Sequence, residues 1–296
     1  MNAATAISPS MFLPRVQRRR RSGRAFELLC ALLSFVGLAF LAVLIVRVVW
    51  EGWSWISPKF FTNFPSILAP EDSGIKSALW GTIWLMAITV LTAVPVGVAS
   101  ALYLEEYAPH NRLTRLIHFN VTNLAGVPSV VYGLLGVTVF VRWCHFGFSL
   151  LSGGLILALL VLPVVIIASR EALVAVPKSI REAAYALGAT RWQTVRSHVL
   201  PAALPGIMTG IILAVSRAIG EAAPLLLLGA LMRVPFVPSS PFDAFTALPI
   251  QIYAWAEAPQ PEFHHLAAAG IIVLLGILLP MNAVAVRAAQ QRKKLW

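Results

Sequence analysis

Arg217 and Glu221 stand inside a long apolar stretch, GIMTGIILAVSRAIGEAAPLL, from Gly206 to Leu226. Residues four apart lie one turn apart on the same face of a helix. A guanidinium is a planar fork of donors suited to oxyanions, and a neighbouring carboxylate moderates its charge. Two roles follow: an electrostatic element on the path of an anion, or an ion pair that only joins helices. An ionised group at mid-membrane costs roughly 2.5–3.5 kcal/mol unless it is paired or wetted. Gly206, Gly210 and Ala214 extend the same stripe. Small residues let helices approach closely, so this stripe is expected to face the bundle and not lipid.

The other reactive side chains assemble no catalytic set. There is no G-x-x-x-x-G-K-[ST] phosphate loop, no H-E-x-x-H and no G-x-S-x-G after a plausible strand. His264 and His265 are adjacent, and neighbours on a helix do not share a face. An interface position is expected for them, and no metal site. Cys30 and Cys144 are isolated and imply no disulfide framework. No cofactor is expected.

The elements that position these residues follow from composition. The chain is 58% hydrophobic and 12% charged, against about 25% charged in soluble domains. An all-α integral membrane protein is expected. Six stretches reach the roughly 20 apolar residues of a span: Ala25–Val49, Ser77–Tyr103, Phe119–Val141, Leu150–Ser169, Gly206–Leu231 and Leu266–Val286. The first follows RRRRSGR, but its apolar core is too long for a secretion signal and no A-x-A site follows, so it is read as a retained span.

Of the 23 Lys and Arg residues, 17 fall in the N-terminal, second-to-third, fourth-to-fifth and C-terminal connecting segments, and five in the alternate ones. Arg217 is the remainder. This bias puts both termini in the cytoplasm, and it leaves no basic stripe for nucleic acid. The expected organisation is a cytoplasmic tail 1–24, a six-helix transmembrane domain 25–287 and a cytoplasmic tail 288–296. An inner loop spans about 170–205. The tryptophans of WEGWSWISPKFF suit a membrane interface. The loop 232–263 is expected along the outer surface as an interfacial or re-entrant segment. Pro95, Pro128 and Pro163 sit within spans, where a kink or a local break is common. Gly133 and Gly136 suit packing. Glu105 and Glu106 close the second span and are expected to be solvated.

The inner loop REAAYALGATRWQTVRSHVLP carries helix punctuation. Ser179 to Glu182 has capping-box spacing, and so does Thr190 to Gln193. Gly188 between them suits a helix end that needs positive φ. Pro201 disfavours helix at Leu200. Two short helices bent at Gly188 are expected, the second ending near Val199.

Here the residues resemble a family. Glu182, Ala183, Ala184, Gly188, Leu200 and Pro201 match the EAA-x3-G-x9-I-x-L-P loop of bacterial binding-protein-dependent ABC importer permeases, with His198 where the pattern has Ile. NLAGVPSVVYGLLG, REAAYALGAT and the Gly206–Leu226 stretch resemble the phosphate-specific permeases, of the PstA type. The resemblance implies the type I permease fold and an inner-membrane subunit that is not itself an enzyme. It implies a second, PstC-type permease subunit, two PstB-type ATPase subunits that receive the loop, and a PstS-type phosphate-binding protein outside. It makes Arg217 and Glu221 candidates for the anion path. Another cargo such as molybdate or sulfate stays open. A non-transport scaffold or an intramembrane enzyme would need a reactive cluster that the residues do not supply.

Overall fold

The computed structural model describes residues 13–66, 69–109, 111–230 and 234–292. Twelve α-helices and no strand occur among them. The chain divides into two units, one ending at Glu51 and one beginning at Gly52. The first is essentially α1 (Leu13–Gly52). Residues 1–12 of the expected N-terminal tail, 293–296 of the C-terminal tail, and Leu231 at the expected end of the fifth span lie outside the described residues.

The second unit holds α2 (Pro58–Thr62), α3 (Lys76–Leu102), α4 (Arg112–Ala125), α5 (Ser129–Gly136) and α6 (Leu150–Val174). It continues with α7 (Lys178–Ala186), α8 (Arg191–Thr194), α9 (Leu200–Ile219), α10 (Ala223–Leu227), α11 (Leu248–Ala256) and α12 (Pro261–Arg292). Among the described residues five helical segments are long and apolar enough to cross a membrane: Phe26–Trp55, Lys76–Tyr107, Leu150–Val174, Arg191–Ile219 and Pro261–Gln290. A bent pair, Arg112–Ala125 with Ser129–Trp143, makes the sixth.

That pair shows the third span to be broken at Pro128, one of the prolines expected within spans. Its halves meet at 102°. Pro128 has no amide hydrogen and pushes Val127 out of the helical region, so the helix stops at Ala125 and restarts at Ser129. The fifth span breaks too. Helix α9 ends at Ile219, and α10 begins at Ala223 with Pro224 in its first turn, where a missing N–H leaves no ladder bond unmade. Pro95 and Pro163, by contrast, lie within continuous helices.

Helix α6 is the centre of the unit. It packs against α3 and α9, and α9 packs against α12. Ala93 and Ala101 of α3, Val161 and Leu173 of α6, and Ala203 and Ile207 of α9 share one buried cluster. Within the loop 232–263, the burial of α11 speaks against the interfacial alternative and is compatible with a re-entrant one. Helix α11 is not laid along a surface: Leu248, Ile250 and Trp255 are buried, and the Leu248 N–H donates to Thr82 Oγ1 at 2.9 Å. Burying those three side chains removes more apolar area from water or lipid contact than an interfacial placement would. His265 stacks on Trp55 at 6.0 Å, and His264 Nε2 lies 2.9 Å from the Ala258 carbonyl.

Candidate functional site

The loop between α6 and α9 is built from local rules. Helix α7 starts at Lys178, capped by Pro177 with no side-chain bond. Ser179 therefore falls inside the first turn, and the expected Ser179–Glu182 box does not form. The second box does: the Gln193 N–H donates to Thr190 Oγ1 at 3.3 Å, and the Thr190 N–H donates to Gln193 Oε1 at 2.8 Å. Gly188 joins the helices with φ +82°. The Gly188 and Ala189 amides donate back to the carbonyls of Tyr185 and Ala184, the αL closure that glycine permits.

Pro201 does not end the second helix. Residues Val195–Val199 form a π-turn, and the Leu200 N–H donates to the Val195 carbonyl. The wider turn shifts the preceding carbonyls, so the Pro201 ring enters the first turn of α9 without breaking the chain's helical course. The loop thus runs directly into the fifth span.

Glu182, Ala183 and Gly188 are exposed, while Ala184 is buried. Leu187 is 89% exposed, and Tyr185 and Trp192 stand beside it uncovered. Leu200 is half-buried and Pro201 exposed. His198 is exposed as well, so the change from Ile removes no buried apolar contact within this chain.

Glu105 and Glu106 are not solvated ends. They lie in a π-turn, Tyr103–Tyr107, that closes α3. Glu106 Oε1 accepts from Arg181 Nη2 at 2.6 Å and from Nε at 3.1 Å. The two side chains are only 6% and 17% exposed. Arg181 also donates to the carbonyls of Val176 and Leu173. Glu105 pairs with Arg170 at 3.2 Å. A carboxylate buried this far requires a paired cation, so Arg181, just before Glu182, ties the loop to the end of α3. Complementary charges on segments at one membrane side were the signal available in the sequence for this clamp.

Arg217 and Glu221 do meet, with Nε and Oε1 at 3.6 Å and side-chain exposures of 50% and 20%. The geometry is a loose pair, open on one side. Gly210 packs on Ala168 and Ala214 is buried, so these small residues face the bundle as expected. Arg217 sits at the edge of that face. The two broken spans come together beside it. A side chain at Gly133 would meet Pro224 Cα at 2.8 Å, so α5 lies tight on α10. Tyr132 donates to the Leu124 carbonyl at 2.8 Å and lies within electrostatic reach of Arg217. The buried Ser216 hydroxyl next to Arg217 has no partner among the described residues. Pro201 and Arg217 stand at opposite ends of α9, about 24 Å apart at 1.5 Å per residue.

A family model described as binding-protein-dependent transport system inner membrane component matches residues 93–293. The chain belongs to that family. Its match takes in the loop and the Arg217–Glu221 pair. The chain is 35% identical to the phosphate transport system permease protein PstA 1 of Mycobacterium tuberculosis, covering 86% of this chain and 84% of that protein. It is 33% identical to the phosphate transport system permease protein PstA of Haemophilus influenzae, over 88% and 90%. It is 34% identical to the probable ABC transporter permease protein YqgI of Bacillus subtilis, over 83% and 88%.

Among solved structures, a bacterial alginate ABC transporter chain aligns with a TM-score of 0.63 at 15% identity, over 93% of this chain and 97% of that one. A chain of the MetNI methionine ABC transporter aligns at 0.58 and 18%, over 73% and 94%. At such identities these show the fold alone: that of the ABC importer permeases. As a member of the binding-protein-dependent family the chain is a multi-pass inner-membrane permease subunit, and its role is transport and not catalysis. A substrate-binding protein and an ATPase are the partners that membership implies.

Proposed function

We propose that this permease carries inorganic phosphate into the cytoplasm, as one of two unlike permease subunits. A PstC-type chain completes the pair, two PstB-type ATPase subunits bind the loop, and a PstS-type protein delivers phosphate from outside. Both termini and the α7–α8 loop face the cytoplasm, in keeping with the charge bias.

The observation that carries the proposal is the half-exposed Arg217 guanidinium, which is held only loosely by Glu221 near where the broken third span packs on α10. A helical break inside a span is tolerated where it lines a cavity or is buried in protein. A guanidinium with free donors there suits a tetrahedral oxyanion. The names of the relatives support phosphate as that oxyanion. At the other end of α9, Glu182, Ala183, Ala184, Gly188, Leu200 and Pro201 shape the loop, and Leu187, Tyr185 and Trp192 offer an uncovered apolar knob for the ATPase.

The test is ATP-driven uptake of labelled phosphate by vesicles holding the complete complex. Uptake that requires this chain and is not displaced by excess sulfate or molybdate is the expected result. Uptake of sulfate or molybdate in preference to phosphate would contradict it.

A further inference from the structure

At the loop end of the bundle, away from Arg217, a cavity of about 340 Å³ opens between α4, α6 and the π-turn that closes α3. Its polar lining is Glu105, Asn111, Thr114, Arg115, His118 and Arg170. Two guanidiniums and an imidazole therefore face one carboxylate. Glu105 is already engaged by Arg170 Nε at 3.2 Å, and the exposed Glu171 lies 3.6 Å from Arg170 Nη1 outside the cavity lining. Among the described residues no carboxylate pairs with Arg115. His118 lies within electrostatic reach of Arg170 and Glu105. The Asn111 side-chain oxygen caps α4 by accepting from the Thr114 N–H, which turns its amide group into an additional available donor.

Helix α4 also has the right setting. Its Thr114, His118, Val121 and Ala125 are partly buried and lie on one face, the one toward α6. Leu113, Ile117 and Leu124 flank that face, Leu116 lies opposite it, and all four are exposed. The charged first turn of α4, with Arg112 and Arg115, is expected at headgroup depth, where the cavity meets water.

We propose that this cavity binds a phosphate-type oxyanion, held by Arg115, His118 and the Arg170 Nη2 donor that Glu105 and Glu171 leave free. The source is either free phosphate on the loop side or the headgroup of an anionic lipid. The occupant competes with Glu105 for Arg170. Glu105 and Glu106 share one π-turn, and Glu106 holds Arg181 of the loop. Occupancy therefore reaches the loop that couples to the ATPase. The proposal stands apart from Arg217 and from the identity of the transported ion.

The test is backbone hydrogen exchange across residues 103–125 in the assembled complex, in nanodiscs of phosphatidylcholine alone or with phosphatidylglycerol. Inorganic phosphate is compared with chloride at equal ionic strength. Protection by inorganic phosphate in the neutral lipid assigns the site to free phosphate. Protection that appears only with phosphatidylglycerol assigns it to lipid. In either case Arg115→Gln is expected to weaken half-protection by about tenfold, Arg115→Lys to restore part of it, and Arg217→Gln to leave it unchanged. No protection from either source, or protection indifferent to Arg115→Gln, would overturn the proposal.

Discussion

Arg181 and Arg217 are both arginines paired with a glutamate, yet their surroundings demand opposite behaviour. Arg181 and Glu106 are buried together with a 2.6 Å contact. Breaking a buried pair from one side costs about 3–5 kcal/mol because the remaining charge stays uncompensated. Arg181→Met is therefore expected to lower the thermal midpoint of the solubilised complex markedly, and Arg181→Met with Glu106→Leu to recover most of the loss. Equal damage from the single and double variants would contradict the clamp. Arg217 is half exposed and 3.6 Å from its partner, a geometry worth under about 1 kcal/mol. Arg217→Gln should leave assembly intact and remove uptake, and adding Glu221→Gln should not bring uptake back. Restored uptake in the double variant would reduce the pair to a structural tie.

At the scale of elements, Gly188 makes the clearest case. Nothing lies within 4 Å of a side chain added there, so only the φ of +82° resists substitution. Gly188→Val should cost about 1–2 kcal/mol at the bend and impair ATPase association, while Gly188→Asn, which tolerates this region, should retain it. Normal association by the valine variant would show the bend to be dispensable. A second element responds to pH. Asp243 Oδ2 accepts from the Ser239 and Ser240 amides at 2.8 and 2.9 Å, and these bonds hold its carboxyl below the usual carboxylate range. Because the folded value is the lower one, the turn's stabilisation is complete above the ordinary carboxylate pKa and is lost as pH falls through the depressed value. Exchange of the Ser240 amide should accelerate in that acid window, and Asp243→Asn should remove the pH response.

Much of this element level was legible in advance. The hinge at Gly188 and the Thr190–Gln193 box rest on local backbone chemistry, which sequence reports directly. So do the apolar lengths of α3, α6 and α12. What was not legible depended on neighbours. A two-residue shift in the start of α7 removed the Ser179 box. A π-turn carried helix past Pro201. Pro128 marks a place for a kink or a break, but the turn of 102° there is set by packing. The Glu106–Arg181 clamp joins residues 75 positions apart, a distance at which only the packed fold reveals who meets whom.

At the scale of the whole molecule, the proposed topology puts the basic loop end and the end with α11 on different sides of the membrane. With exposed Cys30 and Cys144 replaced, single cysteines at Gln290 and Gly188 should label from the cytoplasm, and those at Ser66 and Ser240 from outside. Ser240 reacting from the cytoplasm would invalidate the six-span arrangement. Function then depends on action along α9, from the loop at Pro201 to Arg217 about 24 Å away. The most direct measurement is phosphate taken up per ATP hydrolysed by vesicles carrying Arg217→Gln, with the binding protein present. If Arg217 meets the anion and the loop alone drives the ATPase, hydrolysis persists and the ratio falls by at least about tenfold. An unchanged ratio would contradict a role for Arg217 in the phosphate path.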